Sequence, residues 1–213
     1  MAPQEALTPS SPSEKTGNPS ERQRWIQLRE EGWRSGLAAF TNGLLAFLIG
    51  SGLAIELLPF SVFNQHAVLT HTLLGIVFVL PFLVYGVRHV RGWWDFPFTH
   101  VKFTGWAALV ALLVCLGSGF VVTAESAFGR SLSAGWKLAH ALSTWATLAL
   151  LVPHLWPLVA REWRRRSEPQ AAALLAHAGA HARRALWPLF AGSLATAGLC
   201  FLVGAPQFAN VFP

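Results

Sequence analysis

Four histidines in the apolar part of this sequence are the residues best placed to do chemistry. His71 and His89 lie in one long apolar stretch, and His140 and His154 in another. On a helix turning by ~100° per residue, positions 18 apart return to the same azimuth and positions 14 apart differ by about 40°, so each pair shares one face. Imidazoles inside a membrane span are rare and mark functional sites by default. Two such helices side by side would present two opposed pairs of neutral imidazoles, one near each membrane surface. That is the ligand set two stacked b-type haems require. Bis-imidazole ligation fills both axial positions of an iron, which suits electron transfer and leaves no open site for oxygen chemistry.

The elements that must hold these histidines are apolar helices. The 213 residues are 53% hydrophobic and 12% charged, with a mean hydropathy of +0.43, whereas a soluble domain carries about 25% charged residues. The expected fold class is therefore all-α integral membrane, a four-helix haem-binding bundle plus a fifth transmembrane helix. A hydrocarbon core ~30 Å thick needs about 20 residues, and stretches near 36–58, 67–89, 103–124, 137–159 and 185–204 satisfy it.

The remaining segments divide the chain. Residues 1–20 are polar, rich in Pro and Ser and without an apolar h-region, so they read as a disordered cytoplasmic tail and not as a signal peptide. Residues 21–35 read as an interfacial amphipathic helix anchored by Trp25 and Trp33, followed by the core over 36–160. Residues 161–184 form a basic, amphipathic connector whose middle, AAALLAHAGAH, predicts a second surface helix. Residues 185–213 hold the fifth span and a short external tail, QFANVFP.

The net charge of +6 comes from residues beside the spans, so it reports topology and gives no reason to expect nucleic acid. Lys15, Arg22, Arg24, Arg29 and Arg34 precede the first span. Arg88, Arg91 and Lys102 lie between the second and third, and six arginines lie between the fourth and fifth. The other side holds only Arg130 and Lys137. The positive-inside rule then places the N-terminus in the cytoplasm and the C-terminus outside, across a cytoplasmic (inner) membrane. Cys115 and Cys200 lie within spans and are expected to pack as small apolar residues. There is no CxxCH motif for covalent haem attachment and no Gly-rich phosphate loop.

A duplication runs through the first four spans. GSGLAIELL (50–58) parallels GSGFVVTAE (117–125), and LTHTLLG (69–75) parallels LAHALST (138–144), in the same order and at similar spacing. A repeated two-helix hairpin would bring His71 and His140 to one depth near the external face, with His89 and His154 near the cytoplasm. At 1.5 Å per residue the two histidine separations are roughly 27 Å and 21 Å, a mismatch of about one turn. Pro81, Pro153 and Pro157 and helix tilt offer ways to absorb it.

A flat macrocycle between helices needs small residues where it meets backbone. Gly50, Gly52, Gly117 and Gly119 sit near the outer pair's depth, Gly43 and Gly105 nearer the inner pair; ordinary helix packing would use them equally well. Of these, Gly52 and Gly119 are the candidate cofactor contacts. Arg88 and Arg91, with Arg130 and Lys137, flank the two depths and could pair with propionates or simply set topology. Glu56 and Glu125 follow the two GSG motifs and could exchange protons at an external quinol site. His66 reads as an interface residue, His100 as a loop residue, and His177 and His181 as surface residues.

On the patterns THTLLG…VRHVRGWW in the second span and LAHAL…LVPH in the fourth, residues 36–160 resemble the di-haem cytochrome b membrane subunits, the cytochrome b561-like and hydrogenase or formate dehydrogenase b-subunit group. The 14-residue histidine spacing of the fourth span recurs in that group. The resemblance implies two b haems and electron transfer between the quinone pool and a partner redox subunit: a multihaem cytochrome, an iron–sulfur protein or a dehydrogenase. The 18-residue spacing in the second span, and a first span without histidine, depart from the pattern and leave one haem or two open. The alternative from another class is a non-haem membrane anchor or transporter subunit using its histidines for proton relay.

Overall fold

The structure, a computed structural model, describes residues 19–203. Most of the expected N-terminal tail, and all of QFANVFP, fall outside these residues. Six helices follow in order: α1 (Pro19–Arg34), α2 (Gly36–Leu57), α3 (Val62–Trp93), α4 (His100–Ala127), α5 (Ala134–Arg164) and α6 (Pro169–Leu202). Helices α2–α6 are each long and apolar enough to cross a membrane, as an integral membrane protein requires. Side chains such as Leu73, Leu80, Val110, Phe190 and Leu194 are each more than half exposed on their outer surfaces. In water so much exposed apolar area would be a liability, whereas lipid accepts it.

Local chemistry starts and stops these helices. The hydroxyls of Ser35, Ser61 and Thr99 accept from the backbone N–H of Ala38, Asn64 and Lys102, capping α2, α3 and α4. Lys102 Nζ closes the α3–α4 turn by donating to the carbonyls of Trp94 and Phe96 at 2.7 Å each. At the opposite end Gly129, with φ of +64°, ends α4. Arg130 N–H reaches the Glu125 carbonyl and Gly129 N–H that of Ser126, the bond pattern of a left-handed helix stop that glycine adopts without strain. The Glu125 carboxylate accepts from Ser133 N–H at 2.9 Å and so secures the start of α5. It therefore has a structural task beside the proton exchange the sequence suggested.

The chain is arranged as two hairpins, α2–α3 and α4–α5, with α6 packed on α2 and α3. A central cluster of Leu44, Phe47, Leu48, Phe78 and Phe82 is sealed by Leu109, Leu112 and Leu116 from α4 and Leu189 from α6. Helix α6 is thus an integral wall of the first hairpin and not an appendage to a four-helix bundle. Gly43 faces the Ala185 carbonyl so closely that an added Cβ would collide with α6 backbone, and Gly192 accommodates the Phe47 ring. Gly43 therefore serves α6 packing and not the inner histidine pair. Thr70 and Thr196 hydroxyls bond at 2.7 Å, tying α3 to α6.

The expected surface helix in the connector is not separate: residues 169–184 are the first turns of α6 itself. Nor is His181 a surface residue. It is buried, its Nδ1–H donates to the Trp33 carbonyl and its Nε2 accepts from Asn42 Nδ2 at 3.0 Å. His66 is also buried. Arg184 donates to the carbonyls of Trp33 and Arg34 at 2.7 Å each, covering the C-terminal end of α1.

Helix α1 is fastened to α5 by a buried ion pair. Arg29 Nη1 donates to Glu162 Oε1 at 2.6 Å, with side chains only 4% and 8% exposed. The Trp25 ring lies against the guanidinium groups of both Arg29, at 4.5 Å, and Arg161, at 4.4 Å. Burial pulls the Arg29 guanidinium below its ordinary value, and bonding to Glu162 opposes that. Removing one partner leaves a buried charge uncompensated, which costs about 3–5 kcal/mol, whereas replacing both by apolar groups is often neutral. Glu162→Leu alone leaves Arg29 without its carboxylate, whereas Arg29→Met leaves Glu162 still paired with Arg161 Nε at 3.1 Å. Glu162→Leu is therefore expected to destabilise the protein in detergent unfolding titrations by that order, and Arg29→Met with Glu162→Leu to recover most of the loss. Equal losses in the single and double variants would show that the pair contributes nothing as a pair.

Candidate functional site

The two hairpins meet through the four histidines. Because α3 and α5 run in the same direction, His71 and His140 come together towards the end opposite α1, and His89 and His154 towards the α1 end. The His71 and His140 ring centroids are 6.1 Å apart and their planes make 86°. Those of His89 and His154 are 6.4 Å apart at 77°. The unequal spacing of 18 and 14 residues therefore does not prevent the second pair from meeting. Pro81 lies inside α3 between its two histidines, and Pro153 inside α5 directly before His154.

Each hairpin fixes its own outer histidine, and it does so with the repeated GSG. In the first, His71 Nδ1–H donates to Ser51 Oγ at 2.9 Å, and the Ser51 hydroxyl passes a bond on to the Leu48 carbonyl at 3.3 Å. In the second, His140 Nδ1–H donates to the Cys115 carbonyl at 2.9 Å, with Ser118 Oγ at 3.5 Å. Ser51 matches Ser118 in the repeat, and Leu48 matches Cys115. At the inner depth His154 Nδ1–H donates to the Val101 carbonyl at 2.9 Å. In three of the four rings Nδ1 is thus held by the scaffold, and Nε2 is the nitrogen left to take a metal. Fixing one ring nitrogen by a hydrogen bond to orient the other is the usual support of a ligating histidine. His89 is placed differently, between Tyr85 at 5.5 Å and Trp93 at 6.4 Å on its own helix.

The glycines explain how the rings reach these positions. A Cβ on Gly119 would lie 2.9 Å from His140 Cε1, and one on Gly105 would lie 2.7 Å from His154 Cε1. On Gly52 the nearest atom would be His71 Cε1 at 3.3 Å. Gly50 and Gly117 have nothing within 4 Å. Gly52 and Gly119, the candidate cofactor contacts, lie against the imidazoles of His71 and His140. Gly105 does the same for His154.

The other candidates stay apart. Arg88 and Arg91 are exposed on the last turns of α3, on either side of His89 in sequence, and make no ion pair with a described residue. Arg130, Lys137, Glu56 and His100 are exposed, and His177 is half-buried. Cys115 is not simply an apolar filler, because its thiol lies 3.3 Å from Thr144 Oγ1 and 3.6 Å from His140 Nδ1. Among the described residues no group of three or more His, Cys, Asp or Glu side chains could hold a metal ion. What the site offers is pairs. Sequence reasoning missed Ser51 and the carbonyls of Leu48, Cys115 and Val101. The repeated GSG signalled the serine, but nothing in a side-chain pattern signals a carbonyl.

Comparison with protein-family models, with curated proteins and with solved structures finds no match for this chain.

Overpacking a filled site costs about 1–3 kcal/mol. Gly119→Ala and Gly105→Ala should each lower stability in a detergent unfolding titration by that order, while Gly52→Ala, with 0.4 Å more room than Gly119→Ala, should cost clearly less. An equal response at the three positions would mean that the rings are not held against these glycines.

Proposed function

We propose that this chain is a membrane b-type cytochrome subunit that transfers electrons across the bilayer, between the quinone pool and a partner redox protein, through two bis-histidine haem sites. The observation that carries the reading is the separation within the two ring pairs. A metal–nitrogen bond of about 2.0–2.1 Å on each side, with each nitrogen about 1.1 Å from its ring centre, separates two ligand-ring centres by about 6.3 Å. The observed 6.1 and 6.4 Å bracket that value. The donor set fits as well: four imidazoles, three of them with Nδ1 already engaged.

His71 with His140 would hold one haem and His89 with His154 the other. Bound there, each haem supplies a one-electron carrier with no open coordination position. The chain's own contribution is positional and electrostatic. Hydrogen bonds at Nδ1 fix ring orientation and raise ligand basicity. Between the two depths, Phe78 and Phe82 in α3 and Leu44, Phe47 and Leu48 in α2 keep the interior apolar. Arg88 and Arg91 stand near the inner pair in sequence and are free to neutralise acidic groups there. With the basic ends of the helices in the cytoplasm, the inner pair would lie near the cytoplasmic face and the outer pair near the external face. No further catalytic group is evident around the histidines, which favours a subunit working within a quinone-linked oxidoreductase complex.

The test is haem content. Purified after expression with ample haem, the chain should show a reduced-minus-oxidised spectrum of low-spin b haem and about two haems per chain by pyridine haemochrome. His140→Ala and His154→Ala should each lose one. A single haem, lost in His71→Ala and kept in His154→Ala, would confine the reading to the outer pair. No haem at all would overturn it in favour of a non-haem anchor or transporter.

A further inference from the structure

The α1 end of α5 carries a feature that the paired histidines do not use. Trp156, Pro157, Ala160, Arg161, Arg164 and Arg165 line an open groove of about 450 Å³. These residues form two adjacent ridges of a helix, 156–160–164 and 157–161–165, with the small Ala160 between larger side chains. Going down the helix the same ridges continue to Val152, which is exposed, and Pro153. The groove itself thus has a guanidinium end at Arg161, Arg164 and Arg165 and an apolar end at Trp156 and Pro157, with Val152 exposed one turn beyond it.

The arginines differ in what they already bind. Arg161 is held in place by the Trp25 ring and by its Nε bond to Glu162 Oε1 at 3.1 Å, an oxygen shared with Arg29. Arg165 pairs through two nitrogens with Glu168, at 2.6 and 2.8 Å. Arg164 makes no hydrogen bond or ion pair with a described residue. Trp156 is 68% exposed, in the position of an interfacial anchor, and the arginines follow one and two turns beyond it. That is the depth of lipid headgroups.

We propose that this groove binds the phosphate of an anionic phospholipid, with Arg164 as the principal donor and Arg161 as a preorganised neighbour. The acyl chains would lie along Trp156 and Val152. A guanidinium matches a phosphate with two parallel hydrogen bonds, and basic pockets beside membrane helices favour anionic headgroups. Charges serving orientation alone need no common face, whereas Arg161, Arg164 and Arg165 share one at spacings of three and four. The apolar continuation of the groove selects a lipid over a soluble anion. None of this depends on a haem being present.

The test uses the full chain, delipidated in detergent, with equimolar dioleoylphosphatidylglycerol and dioleoylphosphatidylcholine, and lipid retention read by native mass spectrometry. The anionic phosphatidylglycerol should be preferred, and Arg164→Gln should reduce that preference about ten-fold, the size of one charge-assisted hydrogen bond. Arg130→Gln, at the other end of the helices, should leave it unchanged, and circular dichroism checks that the variants remain helical. Ala160→Leu, which fills the groove without altering charge, should also reduce retention and serves if Arg164→Gln does not fold. Equal retention of the two lipids, an unchanged preference in Arg164→Gln, or unchanged retention in Ala160→Leu, would overturn the proposal. Displacement of the lipid by millimolar inorganic phosphate would overturn the lipid assignment in favour of a free-anion site.

Discussion

The arrangement depends on one steric constraint: an imidazole edge can come into contact with the backbone of a neighbouring helix only where that helix carries no Cβ. Three of the four rings rest on glycine, at Gly52, Gly119 and Gly105, with gaps of 3.3, 2.9 and 2.7 Å to the Cβ that is missing. Once a ring lies that close, its Nδ1 is within reach of the same helix's own atoms. That is why the partners are Ser51 Oγ and the carbonyls of Cys115 and Val101 and not distant side chains. Both carbonyls belong to α4 and each also accepts from a side-chain hydroxyl of the same helix, Ser118 for Cys115 and Thr104 for Val101. His140 and His154 are thus fixed by backbone, the least mobile part of a membrane helix, and His71 by a serine hydroxyl on the facing helix. The hairpin is the smallest unit that supplies both glycine and ring, which makes duplication of a hairpin an economical way to obtain a facing pair.

A second constraint follows from the first. Helices that leave space between two rings cannot pack tightly on each other there, so the two hairpins must be held by something else. The central apolar cluster does part of this, since leucines of α4 reach the phenylalanines of α3. At the α1 end the Arg29–Glu162 pair links the segment preceding the first hairpin to the end of the second. Helix α6 stiffens the first hairpin from outside through the Gly43 approach, the Asn42–His181 bond and the Thr70–Thr196 bond. Polar bonds of this kind suit a membrane interior, where apolar contact with a helix has little advantage over apolar contact with lipid.

The sequence carried the spans and the pairing because both rest on periodicity. Five apolar stretches and four histidines at depths fixed by 1.5 Å per residue leave few other arrangements. It misplaced what depends on close approach. Gly43 and Gly105 look alike as letters, yet one admits α6 backbone and the other admits an imidazole. His181 sits among alanines in a stretch that reads as polar surface, but the continuation of α6 down past its membrane span buries it against Trp33 and Asn42. The arginines were read as topology charges, which accounts for their side of the membrane but not for the burial of Arg29 or for Arg184 covering the end of α1.

The inner pair shows how far the duplication extends. Applying the 14-residue spacing of α5 to α3 would place a ligand at Tyr85, and His89 lies one turn beyond it. Tyr85 and Trp93 stand four residues to either side of His89, so its ring is flanked by aromatic neighbours of its own helix. His154 opposite is fixed in the other way, by Gly105 and the Val101 carbonyl of the adjacent helix. One histidine position of the repeat thus lies a turn further along its helix, with aromatic packing in place of a backbone hydrogen bond. At the outer depth both histidines bond to the helix that precedes them, through a serine hydroxyl in one hairpin and a carbonyl in the other, whereas at the inner depth only His154 makes a bond of this kind.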